Sequence, residues 1–229
     1  MLIGGFQRFS LIDYPGKICA IVFTQGCNFR CPYCHNPELV YPKLYSHPIP
    51  EEDIFAFLET RHGKLDAVVI TGGEPTLQPD LVEFTKKLKA EEYLVKLDTN
   101  GSNPGILSEL IEQKTVDYLA MDVKAPLARY PEITNSNADP AKIKQSIELI
   151  KHSGLDYEFR TTVVKSQLGK NDILAIGKQI RGSKRYVLQK FVPVNVLDTN
   201  VLNAVIYIDA DLDCLRDAVK SYVAECMVR

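Results

Sequence analysis

Val22-Phe23-Thr24-Gln25-Gly26-Cys27-Asn28-Phe29-Arg30-Cys31-Pro32-Tyr33-Cys34-His35 leads from an apolar, β-branched run directly into three cysteines spaced CxxxCxxC, with no fourth cysteine near. The run from Lys17 to Phe23 has the make-up of a buried strand, so the cysteines occupy the loop that leaves it. An iron–sulfur cluster that only passes electrons usually takes four thiolates. Three thiolates on a four-iron cube leave one iron without a protein ligand, open to a small molecule. A competing reading adds His35 and makes Cys3His, a donor set suited to tetrahedral structural zinc. Zinc ribbons and fingers, however, usually place their ligands as two close pairs separated by a longer stretch.

The rest of the chain limits the function classes. At 229 residues it is long enough for one substantial core. It is 45% hydrophobic and 24% charged, with a net charge of −2 and a pI near 6.1. No block of like charge forms a footprint for nucleic acid. No apolar stretch reaches the length of a membrane span, and Met1-Leu2-Ile3-Gly4-Gly5 lacks a signal peptide's charged start, so the sequence predicts a cytoplasmic protein. Six cysteines in such a chain argue for metal binding rather than disulfides. Cys19 lies in the first apolar run and Cys214 and Cys226 in a C-terminal helical pattern, and all three read as buried thiols acting as small hydrophobes. No second cysteine cluster is present, which argues against an inserted ferredoxin-like module.

Apolar, β-branched runs predict strands at 18–24, 67–71, 94–99, 118–122, 157–164 and 186–191. Helical patterns fill 51–61, 80–92, 105–113, 140–153 and 171–181, with Pro79-Asp80 and Asp139-Pro140 as start signals. Strands alternating with helices of this length imply parallel βαβ units. Six units are too few for an eight-fold barrel and suit an open doubly wound sheet or a partial barrel. No linker divides the chain, so one domain over 1–229 is expected, with a core of 16–195 and a segment 196–229 of unassigned role.

In either architecture function gathers at the carboxyl ends of the strands. The cysteine loop follows the first strand. Gly72-Gly73-Glu74-Pro75 follows the second, Asp98-Thr99-Asn100-Gly101 ends the third, Met121-Asp122-Val123-Lys124 ends the fourth, and Arg160 lies in the fifth. Adjacent glycines let a ligand approach backbone closely, although an ordinary turn would use them too. Glu74 could support a ligand or brace its turn. Asp98 and its neighbours read either as a strand-to-turn signal or as acceptors for ribose hydroxyls. Arg160 is either a ligand contact or a paired structural arginine. Gln189 and Phe191 are weaker candidates at the last strand end. His35 and Asn36 follow the cysteines directly, whereas His47, His62 and His152 read as surface or core-edge residues.

The CxxxCxxC loop, with Tyr33 before its third cysteine, resembles the cluster loop of the radical S-adenosylmethionine (SAM) enzymes, in which SAM occupies the open iron. Gly72-Gly73-Glu74 is similar to the motif that meets the amino group of SAM in that family. Reading from Phe9-Ser10-Leu11-Ile12-Asp13-Tyr14-Pro15-Gly16-Lys17 through Cys34-His35-Asn36-Pro37-Glu38, the chain resembles the glycyl-radical-enzyme activases, and most of all the anaerobic ribonucleoside-triphosphate reductase activating proteins. The likeness continues through Asp98 and Lys124 and fades beyond Arg160.

The resemblance implies a partial (β/α)6 barrel, α/β in class, TIM-like and open at the side. It implies a [4Fe–4S] cluster on Cys27, Cys31 and Cys34. SAM would be held by Tyr33, Asn36, Gly72, Gly73, Glu74, Asp98, Asn100, Asp122, Lys124 and Arg160. Two strand-end carboxylates facing the carboxylate of SAM would repel one another in a partly dry site. The pyruvate formate-lyase activases imply a monovalent cation there, matched here by Asp98, Thr99, Met121 and Asp122. The implied reaction cleaves SAM reductively to methionine and a 5′-deoxyadenosyl radical, which takes hydrogen from a glycine of a partner glycyl radical enzyme. That partner would be an anaerobic ribonucleotide reductase, with flavodoxin or ferredoxin as electron donor. A small-molecule enzyme such as a 7-carboxy-7-deazaguanine synthase, a peptide maturase, and a non-catalytic zinc-stabilised α/β binding protein are the alternatives.

Overall fold

The structure is a computed structural model that describes residues 1–203 and 205–229. It is α/β, with eight strands ordered in one unclosed sheet as they occur in the chain. These are β1 (Ile3–Ser10), β2 (Cys19–Thr24), β3 (Ala67–Gly72), β4 (Leu94–Thr99), β5 (Tyr118–Asp122), β6 (Asp156–Val163), β7 (Arg185–Lys190) and β8 (Glu225–Val228). The helices are α1 (Pro37–Val40), α2 (Glu51–Glu59), α3 (Leu81–Ala90), α4 (Pro104–Glu112), α5 (Tyr130–Thr134), α6 (Pro140–His152), α7 (Lys170–Gln179) and α8 (Asp209–Val219).

The six expected strands are β2 to β7, within a residue or so at each end, and the five expected helices are α2, α3, α4, α6 and α7. The chain forms two compact units. One comprises Met1–Asn28, Glu38–Thr99 and Gly105–Leu119; the other comprises Phe29–Pro37, Asn100–Pro104 and Ala120–Arg229.

In the first unit β2, β3 and β4 are parallel, in a register running from Cys19↔Ala67 to Thr24↔Gly72 and from Ala67↔Leu94 to Ile70↔Leu97. Val68, Val69 and Ile70 are buried in succession, as a parallel strand covered on both faces requires. The carboxyl ends of β2 and β3 therefore lie side by side. β1, absent from the sequence reading, pairs antiparallel with β2 through two register shifts. Asp80 stands at the N-cap of α3 but makes no capping bond. Its carboxylate turns instead to the Met1 amino group, so the expected start signal works by position alone.

In the second unit β6, β7 and β8 are parallel. Asp139 does cap α6, accepting a hydrogen bond from the Ala141 N–H at 2.9 Å, with Pro140 in the first turn. Ile143, Ile147 and Ile150 form the buried stripe of that helix.

The segment after 196 gains a structure here. α8 buries Leu212, Leu215 and Val219, carries Asp209 and Asp211 in its first turn, and packs on α7 and β8. Cys19 is buried as expected. Cys214 is exposed on α8, a correction: it lies off the Leu212–Leu215–Val219 stripe. Cys226 is partly buried and lies in β8 rather than in a helix, because 225–228 pair with β7.

Candidate functional site

The first unit brings the double glycine against the approach to the cysteine loop. The Gly73 N–H donates to the Thr24 carbonyl at 2.8 Å and the Glu74 N–H to the Gly26 carbonyl at 2.7 Å. Gly72 has φ of +109°, in the left-handed region that disfavours side chains. A Cβ there would lie 2.5 Å from the Thr24 nitrogen, and one on Gly73 would lie 2.1 Å from the Gly26 oxygen. Both glycines are thus required by the chain's own backbone, Gly72 at Thr24 and Gly73 at Gly26, the residue before Cys27.

Glu74 is fully buried. Its Oε1 accepts from the Thr76 N–H at 3.1 Å, the Thr76 hydroxyl at 2.5 Å and the Thr99 hydroxyl at 2.7 Å. It caps the 3-10 turn at Pro75–Leu77 and ties it to the end of β4. Of the two roles open in the sequence, the brace is the one the structure displays. Glu74→Ala strands these donors in a dry interior, and each unsatisfied buried group costs about 1–3 kcal/mol. Urea unfolding is expected to show a loss of about 3 kcal/mol or more, with Glu74→Gln, which keeps one acceptor oxygen, losing less.

Asp98 lies on one face of β4 with Lys96, two residues earlier. The Lys96 ammonium is 2.5 Å from Asp98 Oδ1, and the Thr71 hydroxyl donates to Oδ2 at 3.3 Å. Lys96 is only 2% exposed, and its ammonium lies 5.9 Å from the centre of the Tyr118 ring. Sequence reading passed over Lys96, although the i, i+2 alternation of a strand was a signal for it.

The second unit holds Cys31, Cys34, Asp122, Lys124 and Arg160. Arg160 Nε donates to Asp122 Oδ1 at 2.8 Å and Lys124 Nζ to Oδ2 at 2.9 Å. Burial works against ionising Asp122, but Arg160 and then Lys124 outweigh it and hold the carboxyl well below the usual range. Burial also works against charging Lys124, whose pKa is nevertheless held well above normal, chiefly by Asp122. Two cations meet one carboxylate in this cluster. Arg160 is thus paired with Asp122. Tyr130 joins the cluster by accepting the Lys124 N–H at 3.0 Å.

Asn100 receives the Ser102 N–H on its Oδ1 at 2.9 Å, the strand-to-turn reading of that motif. Met121 is buried against Gly101, where a Cβ would lie 2.1 Å from the methionine Cε.

Cys31 is buried, and Cys27 and Cys34 are partly buried. Burial pushes the Cys31 thiol up to about 11, with Lys124 acting in the opposite direction. The Tyr33 hydroxyl is buried beside it. The loop is fastened from behind by residues 191–198. Leu197 N–H donates to the Cys34 carbonyl at 2.9 Å and Asp198 N–H to the Pro32 carbonyl at 3.0 Å. His35 stacks on Phe191 at 5.7 Å, with its Nε2 2.8 Å from the Val192 carbonyl. Asn195 reaches the His35 carbonyl at 3.3 Å. Nothing in the sequence pattern pairs 191–198 with the cysteine loop.

Among the described residues no three His, Cys, Asp or Glu side chains form a metal-holding group. Cys27 belongs to the first unit, and Cys31 and Cys34 to the second. The donor set nevertheless fits an iron–sulfur cluster: three soft sulfur ligands on one loop, with the His35 Nε2 committed to Val192 rather than completing a zinc set.

No helix among the described residues is long and apolar enough to cross a membrane. The sequence profile of the Radical SAM superfamily matches residues 21–172. A candidate glycyl-radical enzyme activating enzyme of Methanocaldococcus jannaschii is 35% identical over all of this chain and 95% of its own length. A 7-carboxy-7-deazaguanine synthase of Neisseria meningitidis is 34% identical over 56% of this chain and 54% of its own. Among solved structures, Streptococcus suis SuiB bound to S-adenosylmethionine superposes with a TM-score of 0.70 at 16% identity, over 91% of this chain and 49% of that one, a likeness of fold. The matched profile, running from β2 through the cysteine loop to α7, makes this chain a member of the radical SAM superfamily, whose enzymes use a [4Fe–4S] cluster and SAM.

Proposed function

We propose that this chain is a glycyl-radical-enzyme activase acting on an anaerobic ribonucleotide reductase. The observation that carries the reading is the likeness to the methanogen activating enzyme along the whole chain, through α8 and β8, where the profile of the superfamily has already ended. The likeness to the deazaguanine synthase stops at about half of the chain.

Cys27, Cys31 and Cys34 would hold the cluster. Gly72 and Gly73, with Tyr33, Asn36, Asp98 and Asn100, would hold SAM, and Lys124 and Arg160 would supply positive charge for its carboxylate. Bound together, cluster and SAM supply a one-electron cleavage that yields methionine and a 5′-deoxyadenosyl radical. The chain's own contribution is positional. Glu74 fixes the turn behind the glycines, and residues 191–198 hold the cysteine loop. The Asp122 pairings fix Lys124 and Arg160 in place, and Cys31 lies away from water.

The test is anaerobic. The chain is reconstituted with iron and sulfide, reduced by flavodoxin, ferredoxin or dithionite, and mixed with SAM and the reductase. A glycyl-radical EPR doublet in the reductase, with 5′-deoxyadenosine formed alongside, is the expected result. 5′-Deoxyadenosine without a radical on any glycyl radical enzyme would transfer the reading to a small-molecule substrate. Bound zinc and no 5′-deoxyadenosine would remove the activase reading altogether.

A further inference from the structure

We infer that Lys96 is a built-in counterion for Asp98, so that this chain binds SAM without the monovalent cation that its relatives' motif implies; the inference rests on the proposed SAM site. Three of the four donors expected for that cation, Asp98, Thr99 and Asp122, have another engagement inside their own unit. Asp98 Oδ1 is paired with the Lys96 ammonium at 2.5 Å, and Oδ2 receives the Thr71 hydroxyl. The Thr99 hydroxyl is turned to Glu74 at 2.7 Å. Asp122 is bridged on one oxygen by Arg160 and on the other by Lys124. A metal cation joining this set would have to displace the ammonium of a lysine that is itself 2% exposed, or would face the two cations fixed on Asp122. The donor set therefore does not fit a sodium or potassium ion.

What a cation would do has already been done by covalently attached charge. Asp98 is paired with Lys96, and Asp122 is bridged by Arg160 and Lys124. Lys96 is held for this task by geometry rather than by chance. It shares a face of β4 with Asp98, and its ammonium is kept out of water beside the Tyr118 ring. It acts on SAM through Asp98 and is a positioning residue.

The experiment measures SAM affinity of the reconstituted chain by anaerobic equilibrium dialysis in potassium, sodium and tetramethylammonium chloride at one ionic strength. The thermal midpoint of the same chain without SAM is recorded in the same three salts. For the unaltered chain, affinity is expected to agree within about twofold across the salts and the midpoint to be unchanged, since an occupied counterion site gives no ion anything to bind. Lys96→Met is expected to open the site. Its SAM affinity should fall about tenfold or more in tetramethylammonium and recover in potassium, the signature that a merely structural lysine would not produce. Lys96→Arg keeps the charge and should remain indifferent to the salt.

A tenfold loss of affinity in tetramethylammonium by the unaltered chain, or a midpoint raised selectively by potassium, would overturn the inference. So would a folded Lys96→Met chain as indifferent as the original. If that variant does not fold, the unaltered chain and Lys96→Arg still decide. The midpoint arm needs no SAM, so it separates a failure of this inference from a failure of the SAM site itself.

Discussion

Cys31→Ala is expected to yield a folded chain that forms no cluster responsive to SAM and no measurable 5′-deoxyadenosine. The residue is the most buried of the three loop thiols, at 6% exposure, and its pKa is pushed up to about 11 by that burial. A thiol so placed does not ionise readily by itself, and metal coordination is what brings such a group to the thiolate. Alanine leaves two sulfurs, too few for a cube. The loss of a ligand rather than of the fold is visible in the thermal midpoint. Removing one sulfur from the site costs only about 1–2 kcal/mol of packing, while product formation should fall by more than a hundredfold. Iron content, the EPR spectrum with and without SAM, and 5′-deoxyadenosine measured together check this. An alanine variant that still made the nucleoside would remove Cys31 from the ligand set.

Gly73→Ala is expected to be the most damaging single methyl in the first unit. The added Cβ would lie 2.1 Å from the Gly26 oxygen, 2.7 Å from its carbon and 3.2 Å from its nitrogen. These are backbone atoms that no rotamer change can move aside. Relief requires the strand ends to part, and parting them breaks the bonds from Gly73 to Thr24 and from Glu74 to Gly26. Overpacking of this kind costs about 1–3 kcal/mol where side chains can yield, and more where backbone is met. The shift falls next to Cys27, so the variant should lose both thermal stability and the ability to take up iron. Gly16→Ala is the control: its Cβ would meet nothing within 4 Å, so only its positive φ is penalised. A Gly73→Ala chain with unchanged midpoint and full iron content would refute the packing argument.

The parts of the site that announced themselves in the sequence are those whose chemistry is local. Three cysteines on one loop, two glycines after a strand and a carboxylate at a strand end keep their meaning whatever lies across the fold. The six inner strands were legible because parallel strands covered on both faces are continuous apolar runs, as in Ala67–Gly72. β1 was not, since Ile3-Gly4-Gly5-Phe6-Gln7-Arg8-Phe9-Ser10 neither alternates cleanly nor runs apolar. β8 is four residues long and fully buries none of them, so it offers almost no hydrophobic signal.

The partners of site residues were hidden for a different reason. That Glu74 would meet Thr99, Asp122 would meet Arg160, or Cys34 would meet Leu197 depends on register across 25, 38 and 163 residues of chain respectively. Lys96 was the exception, since the i, i+2 alternation of a strand places it on the face of Asp98.

The hold that residues 191–198 keep on the cysteine loop sets an order of events in the life of the molecule. β2, β3 and β4 pair in sequence and can assemble as the chain leaves the ribosome, and the cysteines are made within the first thirty-four residues. The carbonyls of Pro32 and Cys34 nevertheless wait for the amides of Asp198 and Leu197, about 160 residues later in synthesis. The thiols are thus born early but shaped late. The backbone behind the thiols is complete only when residue 198 has been made.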